Sequence, residues 1–227
     1  MRSKPTTGLI FDMDGTLVDS IPYHGKSWVV FCERHGIHLE LDDLMRRTNG
    51  LNGAECMREL FQRPLDDAEA WALIHEKEII YRELFDPVFR EVPGVRRFAK
   101  HAANLGLKYG VGTAGDKHNI EFVFSHLHLD PKPLAIVGGD EGLPGKPQPA
   151  IFLEVAKRMD VAAAGCIVFE DAPLGIEAAR RGGMRAVAIC TTHTPDELAG
   201  PHVLAAVKDF NELLDMNFLE NLHANAQ

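Results

Sequence analysis

Short apolar runs, each ending in a polar or glycine-rich segment, recur along most of the chain and constrain its fold more than any other feature. The runs have the length of strands. Between them, from residue 93 onward, apolar residues fall at helical spacing. This alternation predicts an α/β fold built on a parallel sheet with helices on both faces. The predicted strands are residues 8–11, 107–111, 134–137, 166–169 and 186–189, with a weaker sixth at 203–207.

Residues 20–91 interrupt this alternation, because they show helical periodicity without convincing strands. Trp28, Phe31 and Cys32, for example, fall on one face of a helix. We therefore expect two domains. Residues 1–19 and 92–227 would form the sheet domain, and residues 20–91 would form an all-helical insertion that follows the first strand.

Composition narrows the classes of partner. The chain has 227 residues, of which 45% are hydrophobic and 25% charged, as in ordinary globular proteins. Its formal net charge of -9 argues against nucleic acid or an anionic membrane as a partner, because both are polyanions. The sequence shows no membrane-length apolar stretch, no secretory leader in residues 1–7 and no CxxC pair among its four cysteines. We therefore expect a cytoplasmic protein, and the sequence indicates no oligomeric state.

The motif Asp12-Met13-Asp14-Gly15-Thr16 directly follows the first predicted strand. Ligands of open parallel sheets bind at the carboxyl ends of strands. Two carboxylates this close repel each other and favour a cation between them, for which Mg²⁺ with its oxygen ligands is the natural choice. Gly15 would let the chain leave the strand sharply. A plain Asp-Gly turn is the alternative.

Three further strand ends carry polar residues. Glu170-Asp171 close the fourth predicted strand, and Thr113-Ala114 follow the second, where a hydroxyl and backbone N–H groups suit an anion. Lys146, between Gly145 and Pro147, precedes a predicted helix and could neutralise a phosphate or a carboxylate. Taken singly, these features also fit a helix N-cap, an ordinary strand-to-helix turn and a solvated lysine.

The strand ends carry an acid, a hydroxyl, a lysine and an acid, in this order along the chain. This ordered set resembles the motifs of the haloacid dehalogenase superfamily of phosphohydrolases, and the resemblance covers nearly the whole chain. The resemblance implies a Rossmann-like core with a helical cap inserted after the first motif. It also implies that Asp12 is a nucleophile that forms an aspartyl-phosphate and that Asp14 is the general acid and base. An acid at position 14 favours phosphoryl chemistry over dehalogenation or phosphonate hydrolysis.

The same resemblance implies the binding residues. Mg²⁺ would be held by the Asp12 side chain, the Asp14 backbone carbonyl and Asp171, with Glu170 reaching the metal through water. Thr113, Lys146 and the backbone N–H of Ala114 would hold the phosphate. Gly175 resembles the glycine that lets a helix pack closely on the strand in this family.

Within the superfamily, the chain is similar to beta-phosphoglucomutase and its sugar-phosphatase relatives. His24 matches a histidine near the cap hinge, Lys77 matches a cap lysine, and residues 48–53 resemble the specificity loop. The mutase pattern carries an arginine late in this loop, where the present sequence has Gly53. The implied substrate residues of the insertion are His24, Asn49, Gly50, Asn52 and Lys77.

The resemblance therefore implies a phosphatase that acts on a small phosphorylated metabolite, most simply a sugar phosphate monoester. A phosphosugar mutase is the alternative within the same family. A non-catalytic binding protein on the same fold is the alternative from another class, because fold alone does not fix function.

Overall fold

A computed structural model describes residues 6–48 and 53–224. The chain divides into two compact units. The first, Met1–Asp19 together with Arg90–Gln227, contains the sheet and is called the sheet unit. The second, Ser20–Phe89, is called the helical unit.

The described part of the sheet unit forms a six-stranded parallel sheet with the order β3-β2-β1-β4-β5-β6. This architecture confirms the predicted α/β fold class. One strand is shorter than expected, with two residues in place of four, because Leu134 is 63% exposed and its apolar character does not reflect burial. The strands are β1 (Gly8–Phe11), β2 (Lys108–Gly112), β3 (Ile136–Val137), β4 (Cys166–Glu170), β5 (Arg185–Ile189) and β6 (Val203–Val207).

Helices connect the strands and make up the described part of the helical unit. Those of the helical unit are α1 (Ile21–Arg34), α2 (Leu41–Thr48), α3 (Gly53–Phe61) and α4 (Asp67–Phe85). Those of the sheet unit are α5 (Val95–Asn104), α6 (Lys117–His126), α7 (Ala150–Arg158), α8 (Pro173–Arg181), α9 (Phe210–Asp215) and α10 (Phe218–Ala224). Among the described residues, no helix combines the length and apolar character needed to cross a membrane.

Side-chain caps define where several helices begin. Asp116 accepts a hydrogen bond from the backbone N–H of Asn119 at 2.9 Å and so caps α6. Asp66 and Asp209 cap α4 and α9 in the same way. The helix predicted after Lys146 is α7, which begins at Ala150.

The two faces of the sheet carry different cores. Ile10 and Val168 point to the face where α7 and α8 pack, within one aliphatic cluster. The next residue of each strand, Phe11 or Phe169, points to the opposite face because side chains alternate along a strand. There the two rings stack at 4.8 Å and meet Phe98 of α5 and Phe210 of α9. Burial on both faces holds the carboxyl ends of β1 and β4 side by side.

The helical unit has a core of its own. Phe31 of α1, Met57 and Leu60 of α3, and Ile80 of α4 are buried together in it. α1 and α4 form its main helix pair. Because this core uses only residues of the helical unit, the insertion has the hydrophobic interior expected of a domain.

Candidate active site

Three predicted site residues follow strands that are neighbours in the sheet. Asp12 follows β1, which lies between β2 and β4, so the strand order reverses at this point. The backbone N–H of Asp12 donates to the Phe169 carbonyl at 3.0 Å and extends the pairing with β4. Thr113 follows β2 and Asp171 follows β4. The topology therefore brings all three residues to the edge where parallel sheets bind ligands.

Asp12, Glu170 and Asp171 form a buried acidic cluster, with 5%, 1% and 3% of their surface exposed. One carboxylate oxygen from each lies within 4.8 Å of the others. The Lys146 ammonium donates to Asp12 Oδ1, and it donates to Glu170 Oε1 at 2.6 Å. Residues that are up to 159 positions apart in sequence therefore meet at one point, as Asp12 and Asp171 do.

Burial and mutual repulsion dominate the electrostatics of this cluster. Burial raises the pKa of Asp12 well above its ordinary value, against the attraction of Lys146. Burial and the Glu170 charge raise the pKa of Asp171 to about 7, while a hydrogen bond from Thr192 opposes the shift. Burial alone would lower the pKa of Lys146, but the charges of Asp12 and Glu170 outweigh it, and the net shift is upward.

These residues fit a divalent cation. Three buried carboxylates face one ammonium among the described residues, so the cluster is short of positive charge. Proton uptake, expressed in the raised pKa values of Asp12 and Asp171, is one way to relieve the imbalance. A hard cation with oxygen ligands is the other. The donor set, all oxygen, suits Mg²⁺ better than a softer metal.

Two glycines make room for the carboxylates. Gly15 has φ of +81°, and a Cβ there would lie 2.2 Å from Asp171 Oδ2. A Cβ at Gly175, in the first turn of α8, would lie 1.7 Å from Glu170 Oε1. Gly175 therefore allows α8 to approach the Glu170 carboxylate, whose other oxygen accepts the backbone N–H of Ala172 at 2.7 Å.

The other predicted residues of the sheet unit occupy turns near this edge. Thr113 is buried, and its hydroxyl accepts the backbone N–H of Gly115 at 3.0 Å. Ala114, next to it, is exposed. Asp14 is partly exposed and forms an isolated parallel bridge with Val18. The turn after β2 thus offers backbone groups and a hydroxyl, as an anion site requires.

In the helical unit, His24 and Lys77 lie together. Lys77 is 3% exposed, and its Nζ lies 3.0 Å from His24 Nδ1 and 2.9 Å from Glu78 Oε1. The His24 ring stacks on Tyr81 at 3.7 Å, and the Lys77 ammonium lies 5.1 Å from the centre of the Trp28 ring. The remaining predicted residues, Asn49, Gly50 and Asn52, lie outside the described residues.

The segment after β5 contributes contacts that the sequence analysis missed. The Thr192 hydroxyl donates to Asp171 Oδ2 at 2.6 Å, and the Thr191 hydroxyl donates to the Gly15 carbonyl at 2.5 Å. Thr16 adds a longer contact of 3.4 Å to Asp171 Oδ1. The signal was present, because the two threonines close an apolar strand as the other site residues do.

Comparisons with known proteins agree with this geometry. The sequence profile of the haloacid dehalogenase-like hydrolase family matches residues 9–189. A fructose-1-phosphate phosphatase of Escherichia coli strain K12 is 35% identical over 186 residues, which cover 79% of this chain and 94% of that protein. A beta-phosphoglucomutase of Bacillus subtilis strain 168 is 30% identical over 188 residues, which cover 80% of this chain and 82% of that protein.

A solved structure shares the fold. The crystal structure of an HAD hydrolase of family IA, variant 3, from Entamoeba histolytica matches with a TM-score of 0.83 at 24% identity, and it covers 96% of this chain and 100% of that chain. At this identity the match shows the fold alone. The profile and the two relatives go further, and they confirm the resemblance and the enzyme class, a hydrolase, expected from the motifs. The chain therefore belongs to the haloacid dehalogenase-like hydrolase family.

Proposed function

We propose that this enzyme hydrolyses a small sugar phosphate monoester through an aspartyl-phosphate on Asp12. The observation that carries the proposal is the buried Asp12 carboxylate at the carboxyl edge of the central strand, in contact with Lys146 and beside Asp171. A nucleophile that must approach an anionic ester needs nearby positive charge. Lys146 supplies one such charge at the carboxylate oxygen itself.

Phosphate would be held by Lys146, the Thr113 hydroxyl and the backbone N–H of Ala114. Support comes from their elements, since Thr113 and Ala114 begin the turn after β2, the neighbour of β1. Glu170, which is 1% exposed, accepts a hydrogen bond from the Lys146 ammonium at 2.6 Å. These donors are fixed before substrate arrives, so little reorganisation is required during the reaction.

Mg²⁺ would be held by the Asp12 side chain, the Asp14 backbone carbonyl and Asp171, with Glu170 near enough to reach it through water. When bound, it would supply positive charge that offsets the carboxylates and the phosphate. The buried acidic cluster and the raised pKa values of Asp12 and Asp171 support this assignment.

The reaction has two steps. In the first, an Asp12 carboxylate oxygen forms a bond to phosphorus while the bond from phosphorus to the ester oxygen breaks, and Asp14 gives a proton to that leaving oxygen. In the second, Asp14 takes a proton from water while the water oxygen forms a bond to phosphorus, and the bond from phosphorus to the Asp12 oxygen breaks and releases inorganic phosphate. Asp12 and Asp14 return to their starting forms.

We assign the helical unit the role of a cap that selects the substrate. His24 and Lys77, together with Asn49, Gly50 and Asn52, would make that selection. The partner would be a small phosphorylated metabolite rather than nucleic acid or membrane, and a cytoplasmic location stays a prediction. The fructose-1-phosphate phosphatase among the relatives supports a sugar phosphate as the substrate class.

A phosphosugar mutase is the second candidate, and the beta-phosphoglucomutase relative favours it. Gly53 argues against it. A Cβ at Gly53 would lie 2.7 Å from Ile74 Cδ1, so the arginine of the mutase pattern would fit at position 53 only if Ile74 moved. Ile74 Cδ1 is the end of a flexible side chain, so the missing arginine, rather than a lack of space, argues against the mutase.

The test is release of inorganic phosphate from fructose 1-phosphate, 6-phosphogluconate, phosphoglycolate and beta-glucose 1-phosphate with Mg²⁺, while glucose 6-phosphate formation is followed in parallel. Asp12→Asn should abolish turnover with the fold intact, whereas Asp215→Asn, an exposed control, should not change it. Turnover by Asp12→Asn at the wild-type rate would refute the nucleophile. Glucose 6-phosphate without free phosphate would establish the mutase, and no turnover at all would favour a binding protein.

A further inference from the structure

Residues 191–193 follow β5 after Cys190 and contact the two turns that carry the acidic cluster. Thr191 Oγ1 donates to the carbonyl of Gly15, in the turn that follows Asp12 and Asp14. Thr192 Oγ1 lies 2.6 Å from Asp171 Oδ2 and 2.9 Å from the Asp171 carbonyl oxygen. One short segment therefore contacts both the turn after β1 and the turn after β4.

The chemistry of these groups limits where their hydrogens lie. His193 Nδ1 lies 3.0 Å from the Asp171 carbonyl oxygen and 2.9 Å from Thr192 Oγ1, so a hydrogen on Nδ1 can be donated to either oxygen. In both of these arrangements the single hydroxyl hydrogen of Thr192 is available for the carboxylate. A bond to a charged acceptor is also the stronger of the two choices.

The Thr192 hydroxyl makes a shorter contact with the Asp171 carboxylate than the Thr16 hydroxyl does. Thr16 reaches the other oxygen, Asp171 Oδ1, at 3.4 Å, near the limit of a hydrogen bond. Gly15 lies against Oδ2, where a Cβ would come within 2.2 Å. The Thr192 hydroxyl therefore contacts Asp171 Oδ2, the same oxygen that lies against Gly15.

We propose that Thr192 is a positioning residue that fixes the orientation of the Asp171 carboxylate for cation binding, with His193 and Thr191 holding the surrounding turn. The inference rests on the proposed function, which assigns Asp171 to Mg²⁺. Groups that orient a metal-binding carboxylate affect metal affinity without touching the metal. The segment would therefore act on affinity for Mg²⁺ more than on the chemical step.

The experiment compares Thr192→Val, which removes the hydroxyl and keeps the shape, with Thr192→Ser, which keeps the hydroxyl. Thr194→Val is the matched control, because Thr194 directly follows this segment and, within the described part of the chain, its hydroxyl contacts Glu197 rather than Asp171. Thr192 is exposed, so valine there disturbs no packed core. Thr192→Ala provides a second variant should valine prevent folding.

The full chain, freed of metal with EDTA and dialysed, is titrated with MgCl₂ by calorimetry, and the Mg²⁺ concentration that gives half-maximal phosphate release is measured separately. We expect Thr192→Val to weaken Mg²⁺ binding about 10-fold or more. Thr192→Ser and Thr194→Val should stay near the wild type. The KM for the phosphate ester at saturating Mg²⁺ should not change.

The outcomes separate this inference from the proposed function. Binding by the wild type that is lost in Asp171→Asn establishes the metal site, and a Thr192→Val affinity within twofold of wild type would then overturn the role of Thr192 alone. A lower unfolding temperature in EDTA with unchanged Mg²⁺ affinity would show a purely structural role and overturn it too. No Mg²⁺ binding by the wild type would overturn the magnesium site and this inference together.

Discussion

Gly175→Ala tests whether the space left by a glycine lets Glu170 keep its place in the charged cluster. The new Cβ would lie 1.7 Å from Glu170 Oε1 and 2.0 Å from its carboxyl carbon. The carboxylate would have to retreat by roughly 1.5 Å to reach a normal contact distance. Its bonds to Lys146 at 2.6 Å and to the backbone N–H of Ala172 at 2.7 Å cannot both survive a shift of this size.

The expected loss follows from those two bonds. A hydrogen bond to a charged group contributes about 1.5–3 kcal/mol, and alanine in place of glycine within a helix returns about 1 kcal/mol. The net loss of unfolding free energy is then about 0.5–2 kcal/mol if one bond is lost and about 2–5 kcal/mol if both are lost. For a chain of this length, the loss of both bonds corresponds to a fall in unfolding temperature of roughly 4–20 °C.

The assay is urea and thermal unfolding in EDTA, with phosphate release measured on the same preparations. Gly182→Ala is the matched control, because Gly182 ends α8 with φ of -75° and a Cβ there would approach only to 3.3 Å. We expect the control to be as stable as the wild type or more so, and Gly175→Ala to lose both stability and turnover. Equal stability of the two variants would refute the argument, because it would mean that Glu170 moves without cost.

Two other predictions follow from the charged groups of each unit. Folding raises the pKa of Asp171 from its ordinary 3.8 to about 7. Between these two pH values the folded state therefore binds more protons than the unfolded state. The free energy of unfolding without metal should fall as the pH rises toward about 7. Urea unfolding in EDTA across this range checks the slope, which Asp171→Asn should flatten; an equal slope in the variant would contradict the assignment. In the helical unit, Lys77→Met should cost about 1–3 kcal/mol, because it leaves Glu78 and His24 without the buried ammonium. Lys157→Met, at a side chain that is 78% exposed, is the control in the same urea experiment, and equal stability of the two variants would show that Lys77 is not structural.

Most of the fold could be predicted because its signals are local. Apolar runs bounded by polar residues marked the strands, and the position of Asp12, Thr113 and Asp171 at strand ends was enough to expect them at one edge of a parallel sheet. Leu134 shows the limit of the method, since an exposed leucine extends an apolar run without extending the strand. The sequence pattern shows which residues are apolar, but tertiary packing decides which of them are buried.

The contacts between loops could not be predicted in the same way. Glu170 was expected near the metal, and the structure shows it bound to Lys146 as well. That pairing depends on the path of residues 138–149 back to the sheet and on the space left by Gly175. Neither feature produces a hydrophobic pattern that can be recognised in the sequence. Thr192 escaped notice for another reason: a threonine after a strand is common, and its meaning comes only from its distance to Asp171.

The position of Lys146 gives Glu170 a role in the proposed reaction, although Glu170 forms no bond in it. An ammonium has three N–H donors, and in the described structure Asp12 and Glu170 each take one, while the Phe152 ring lies 4.9 Å from Nζ. Two fixed acceptors determine the direction of the third donor, which on the proposed mechanism meets the phosphate. If Glu170 is displaced, Lys146 keeps its charge but can rotate about its contact with Asp12. A variant such as Gly175→Ala should therefore lose more turnover than its lost stability explains, because a charge in the wrong place stabilises the transition state less than one held in position.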